Sequence, residues 1–172
     1  MTVSIDDAGV GDLLFGVIIG AYRHETQEFT YGVVDVKYFK PGRFCRKEYL
    51  RQASTVVFQL LDRLKLEGNE PIQICRGSIF ERAVKDLKEK YGDDRVQAVK
   101  IIGEPQHCTE TAYLDEIRNL GYEPLPEREQ KRAKSFFDMM KWLEKNPNKL
   151  EFAKTGWPKL GKYRLFRSAR QT

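Results

Sequence analysis

The sequence predicts an α/β fold: a mixed five-stranded sheet of order 3-2-1-4-5, flanking helices and a C-terminal helical and basic extension. Three observations predict it. Residues 1–39 hold three β-rich runs joined by short links. The hydrophobic period then switches from two to helical spacing. From there to Gly121, strand-like and helix-like segments alternate, which demands right-handed crossovers and a parallel sheet region. The simplest solution sets the first strand centrally, with the meander on one side and strands 4 and 5 on the other.

Residues 3–6 read as the first strand. Residues 13–22 form a second apolar run rich in Ile, Val and Phe, and Glu25-Thr26-Gln27-Glu28 is a turn. Residues 29–39 alternate, with Tyr31, Val33, Asp35 and Lys37 set against Val34, Val36 and Tyr38, until Pro41-Gly42 ends the run. Between residues 47 and 66, Leu50, Ala53, Val56, Val57, Leu60, Leu61 and Leu64 recur at helical spacing. Residues 71–75 are a short buried strand. Ser78-Ile79-Phe80-Glu81 has the Ser-x-x-Glu pattern of a capping box, opening a helix that Gly92 stops. Residues 96–102 are β-rich. Thr109 is placed to cap a third helix ending at Gly121. Beyond Pro124 and Pro126, a last helix is expected over 127–145, stopped by Asn146-Pro147. This divides the chain into an α/β domain over 1–124 and a helix plus basic extension over 125–172.

With 41% hydrophobic residues among 172, the chain is able to bury a core. No apolar run approaches the roughly 20 residues that span a bilayer, and the N-terminus lacks the basic region of a signal peptide. The expectation is a soluble, cytoplasmic protein without membrane contact. Cys45, Cys75 and Cys108 lie far apart, so reduced thiols are expected rather than disulfides or a zinc site. His107-Cys108 lies near Glu104 and Glu110, but no second Cys/His pair has zinc spacing. Charge is unevenly spread: residues 127–172 carry thirteen Lys/Arg and five Asp/Glu, a net of +8 within a chain of net +5. Such asymmetry suits a phosphate-rich partner. Aromatics interleave with cations there, in Phe152, Lys154, Trp157, Lys159, Lys162, Tyr163, Arg164, Phe166, Arg167 and Arg170, a pattern fit for phosphate contact and base stacking.

Asp6-Asp7, at the end of strand 1, fall at the switch point between strands 1 and 4, where open α/β sheets place ligands. Strand 4 ends there in Arg76-Gly77. Neighbouring carboxylates repel, and a divalent cation removes both the repulsion and the desolvation cost. Mg²⁺ or Mn²⁺ suits such a pair, because it binds through one or two carboxylates and completes its shell with water and phosphate. Glu104 and Glu110 are the further candidate ligands. Asp35 and Asp115 are weaker ones, read equally as a partner of Lys37 and a solvated helix residue. Strand 4 itself offers no acid at Cys75-Arg76.

The β-β-β-α-β-α-β-α order over residues 2–121 resembles the ribonuclease H superfamily. The segment Ser4-Ile5-Asp6-Asp7-Ala8-Gly9-Val10-Gly11 is similar to the first motif of ribonuclease HII, Gly-Ile-Asp-Glu-Ala-Gly-Arg-Gly. The resemblance implies a metal-dependent nuclease with Asp6, Asp7, Glu104 and Glu110 as catalytic metal ligands. It implies that Gly9 and Gly11 approach the substrate backbone, and that an RNA/DNA hybrid or structured nucleic acid is the substrate. Arg76, Lys154, Trp157, Lys159, Lys162 and Arg164 would hold that strand. Val10 stands where the family has arginine, and strand 4 lacks the family's acid. A catalytically inactive nucleic-acid-binding relative is therefore the alternative. A receiver-like phosphoacceptor fits less well, since receivers alternate strand and helix from the start whereas this chain opens on a meander.

Overall fold

The computed structural model describes residues 1–167 and forms a five-stranded sheet in the order β3-β2-β1-β4-β5. The strands are β1 (Val3–Ala8), β2 (Val17–Arg23), β3 (Glu28–Val34), β4 (Ile72–Cys75) and β5 (Val96–Val99). β1 pairs antiparallel with β2 and parallel with β4, so the antiparallel meander passes into the parallel region at β1. The helices are α1 (Glu48–Arg63), α2 (Glu81–Tyr91), α3 (Glu104–Asn119), α4 (Arg132–Lys145) and α5 (Arg164–Arg167). The expected strand order and flanking helices are thus present. Among the described residues no helix is long and apolar enough to cross a membrane.

Two cores divide along the faces of the sheet. Alternate β1 residues Val3 and Ile5 pack with α1 and α2 through Leu60, Leu61 and Leu87, and with Phe80 of the turn that precedes α2. On the other face Ala8 and Ile18 pack with Tyr113 and Ile117 of α3, Met139 and Leu143 of α4, and Leu160 and Phe166. The second core is therefore shared between the body and the C-terminal extension, with Leu160 2% and Phe166 0% exposed. β2 is buried along its whole length, because α1 covers one face and α3 the other. α3 comes so close at Gly20 that a Cβ there would lie 2.3 Å from Thr109 Oγ1, so only glycine fits.

Several boundaries differ from the sequence reading for local reasons. β3 stops at Val34, because the Asp35 carboxylate accepts a 2.8 Å bond from Lys37 N and turns the chain into a 3-10 turn. Ser78 does not form the capping box; Ser78–Phe80 is a 3-10 turn that buries Ile79 and Phe80, and α2 starts at Glu81 without a side-chain cap. β5 ends at Val99 rather than residue 102. Thr109 caps nothing. α3 begins at Glu104, with Pro105 tolerated in its first turn, and Thr109 Oγ1 donates to Pro105 O at 2.8 Å within the helix. α4 begins at Arg132 rather than 127, because Arg128 is drawn inward by buried carboxylates. Arg170 and the rest of 168–172 lie outside the described residues.

Candidate metal centre

Asp6 and Asp7 close the central strand. The β1–β4 ladder ends at Ile5↔Ile74, so the next step of the parallel register sets Asp6 beside Cys75. A carboxylate oxygen from each aspartate and the Cys75 Sγ all lie within 4.8 Å of one another. Among the described residues this is the one group of three such donors close enough to share an ion. Asp6 is buried and Asp7 half-buried. The loop to α2 runs alongside: a Cβ on Gly77 would lie 3.2 Å from Asp7 Oδ1.

The electrostatics are those of crowded acids. Burial, then the Asp6 and Glu110 charges, push the Asp7 carboxyl up to about 7. Burial also raises Asp6, although the Asp7 amide and the Cys75 thiol partly offset it. The Cys75 thiol is pushed up to about 11 by burial, with both carboxylates adding to the effect. It is therefore a neutral neighbour at pH 7, not a thiolate. Arg132, exposed at the start of α4, is the cation that favours ionised Asp7.

A buried arginine ties the loop after the pair to α3. Arg128, 3% exposed, donates through Nε to Asp12 Oδ2 at 2.9 Å and through Nη1 to Glu110 Oε2 at 2.7 Å. Its guanidinium lies 4.9 Å from the centre of the Tyr113 ring. Tyr113 OH donates to Leu14 O at 3.0 Å, and its ring fills the space beside Gly9. Gly9 has φ +92°, and a Cβ there would lie 2.4 Å from Tyr113 Cε2. The loop following the aspartates is thus held by an ion network and an aromatic ring.

The expected site residues separate clearly. Asp6 and Asp7 converge. Glu110 stands close enough to act on both charges, yet its carboxylate is engaged by Arg128. Glu104 is exposed five residues before Thr109 on α3, beside Cys108 and toward Tyr22, and does not join the group. Gly9 is buried against Tyr113 rather than open to a substrate backbone, whereas Gly11 is exposed. Arg76 is exposed at the end of β4 and donates to Ala98 O. Lys154 corrects the expectation of a phosphate contact: it is 0% exposed, and its Nζ donates to Asp12 O at 2.8 Å and Leu14 O at 3.2 Å. Burial pushes that amine down to about 7. Trp157 is half-buried beside Phe136, and Lys159, Lys162 and Arg164 are exposed. Of the weaker candidates, Asp35 caps the turn after β3, and Asp115 is exposed beside Arg118.

Cys75, Asp12, Arg128 and Arg132 were not among the expected residues. The parallel register of strands 1 and 4 is the signal that would have found Cys75. No family model, curated protein or solved structure matches this chain.

Proposed function

We propose that the protein is a divalent-metal-dependent nuclease of the ribonuclease H superfamily that hydrolyses phosphodiester bonds. The observation that carries this reading is the Asp6–Asp7 pair, one buried and one half-buried, brought together at the carboxyl end of the central strand beside the parallel switch point. The donor set fits the ion: two carboxylates supply hard oxygens for Mg²⁺ or Mn²⁺, and the neutral thiol adds no competing charge. When bound, such an ion lowers the pKa of water and offsets charge developing on the phosphate.

The chain's own residues do the rest. Asp6 and Asp7 would hold the ion, and Asp7 would release to solvent the proton that burial retains on it. Glu110 keeps the local field negative while Arg128 anchors it. Asp12 and Lys154 pin the loop after β1, so that the carboxylates keep their separation. Arg132, Lys159, Lys162 and Arg164 present exposed positive charge to a phosphate backbone.

The test is cleavage of hybrid, duplex and single-stranded substrates with Mg²⁺ or Mn²⁺. Turnover that disappears in Asp6→Asn supports the reading, and turnover unchanged by that substitution refutes it. Two observations favour a second reading, a non-catalytic nucleic-acid-binding relative: a thiol occupies the end of β4, and Glu110 is tied to Arg128. That reading expects salt-sensitive binding without turnover.

A further inference from the structure

A cavity of about 630 Å³ opens between α4 and the chain around residues 157–163. This is a volume typical of small-ligand sites. Gly11, Arg132, Phe137, Trp157, Lys159 and Lys162 are among the residues lining it, and no acidic residue does so. Its walls are mostly apolar and aromatic. Phe136 and Trp157 lie 6.2 Å apart at 31°, and Phe137 meets Tyr163 edge to face at 5.9 Å and 78°. Phe137 is 44% exposed, a large ring that the fold leaves uncovered. The cavity also adjoins the candidate metal centre: Gly11 belongs to the loop that follows Asp6-Asp7, and Arg132 is the cation acting on Asp7.

We infer that this cavity receives one unpaired nucleobase of the nucleic-acid strand, stacked on its aromatic wall, with the flanking phosphates on Arg132, Lys159 and Lys162. The inference rests on the nucleic-acid reading of the site and adds the form of the substrate. Flat aromatic walls suit a ring that offers a π-face. A rim of cations without acids selects an anionic ligand over a neutral or basic peptide. A paired base is held in its stack, so only a single-stranded or locally opened segment can enter. The strand that fills the cavity then passes Gly11 on its way to the carboxylates. Because Gly11 has nothing within 4 Å of a Cβ position, the backbone is open there.

The test is binding in EDTA, where cleavage cannot intervene. Trp142→Phe leaves Trp157 as the remaining tryptophan, so its fluorescence reports on the cavity. The probes are a single-stranded thymidine 12-mer, the same 12-mer with abasic positions, a blunt hairpin duplex and anionic phosphatidylglycerol vesicles. The expected result is quenching of Trp157 by the base-bearing single strand, with weaker binding and no quenching by the abasic strand. Phe137→Ala should weaken single-strand binding about 5- to 100-fold at an unchanged salt slope. Lys159→Gln with Lys162→Gln should reduce the slope of log K against log salt by about 1.4. Phe137 is exposed, so its loss spares the core.

Equal binding of abasic and base-bearing strands overturns the inference, as does equal quenching by the duplex. Quenching by vesicles but not by the 12-mer also overturns it, in favour of a lipid surface. The two proposals fail separately. Metal-dependent cleavage lost in Asp6→Asn without base-dependent quenching removes only the pocket. Base-dependent quenching without cleavage removes only the nuclease.

Discussion

Replacing Asp7 with asparagine should make the metal-free protein more stable at alkaline pH and insensitive to metal. The Asp7 carboxyl has a pKa of about 7 in the folded protein against an ordinary value of 3.8. A raised carboxyl pKa means that the folded state favours the neutral form. That contribution is fully present below pH 3.8 and lost as pH rises through about 7. At 1.36 kcal/mol per unit, the three-unit shift puts the penalty of holding ionised Asp7 at about 4 kcal/mol above pH 8. Asparagine cannot ionise and escapes it. For a chain of 172 residues each kcal/mol corresponds to about 2–4 °C in Tm, so Asp7→Asn should melt as much as about 16 °C higher at pH 8.5. Coupling to Asp6 makes this an upper figure. At pH 3.5 the advantage should vanish, because both side chains are then neutral. The assay is thermal melting by circular dichroism in EDTA at the two pH values, repeated with millimolar Mn²⁺. Metal that binds only the folded state should raise wild-type Tm and leave the variant unmoved. A wild type that is the more stable at pH 8.5, or a difference of equal size at both pH values, would refute the reasoning.

Three further outcomes follow from the packing around the site. Lys154→Met should abolish a rise in stability between pH 7 and 10.5, worth about 5 kcal/mol in the wild type. A base whose folded pKa is depressed costs stability when charged and recovers it as the pH rises, and urea titration at pH 7 and pH 10 compares the two proteins. Arg128→Ala should destabilise by about 3–5 kcal/mol, since it strands the carboxylates of Asp12 and Glu110; the denaturation midpoint measures it, and Asp12→Asn in the same chain should recover part of the loss. Gly9→Ala should cost about 1–3 kcal/mol through its positive φ and the Tyr113 ring, seen as a lower urea midpoint at unchanged m.

The sheet order was legible because it follows from chain order. Once three β-rich runs precede alternating strands and helices, handedness leaves few arrangements, and Asp6-Asp7 fall at the switch point. The third donor was not legible from residue type. Cys75 looks inert in a search for acids, and only the register of β1 against β4 brings it to the pair. The Arg128 network joins residues 116 positions apart, and no local period encodes such a partner. Lys154 misled because basic residues surround it in sequence. Its neighbour Ala153 bridges to Leu14, which draws the lysine inside. Thr109 shows the same limit at short range: a hydroxyl that can cap a helix serves equally well as a back-bonding residue within one.

The clasp between residues 12–15 and residues 152–154 also sets an order of events in synthesis. Phe15 N donates to Phe152 O at 2.7 Å, and Lys154 reaches Asp12 across 142 positions. Closing a loop of that size is slow, and a chain emerging from the ribosome cannot close it before residue 154 is free. The aspartates are made well over a hundred residues before the groups that secure their loop. Until then their loop is unlatched, so the nascent chain carries the acids without the network that fixes their surroundings.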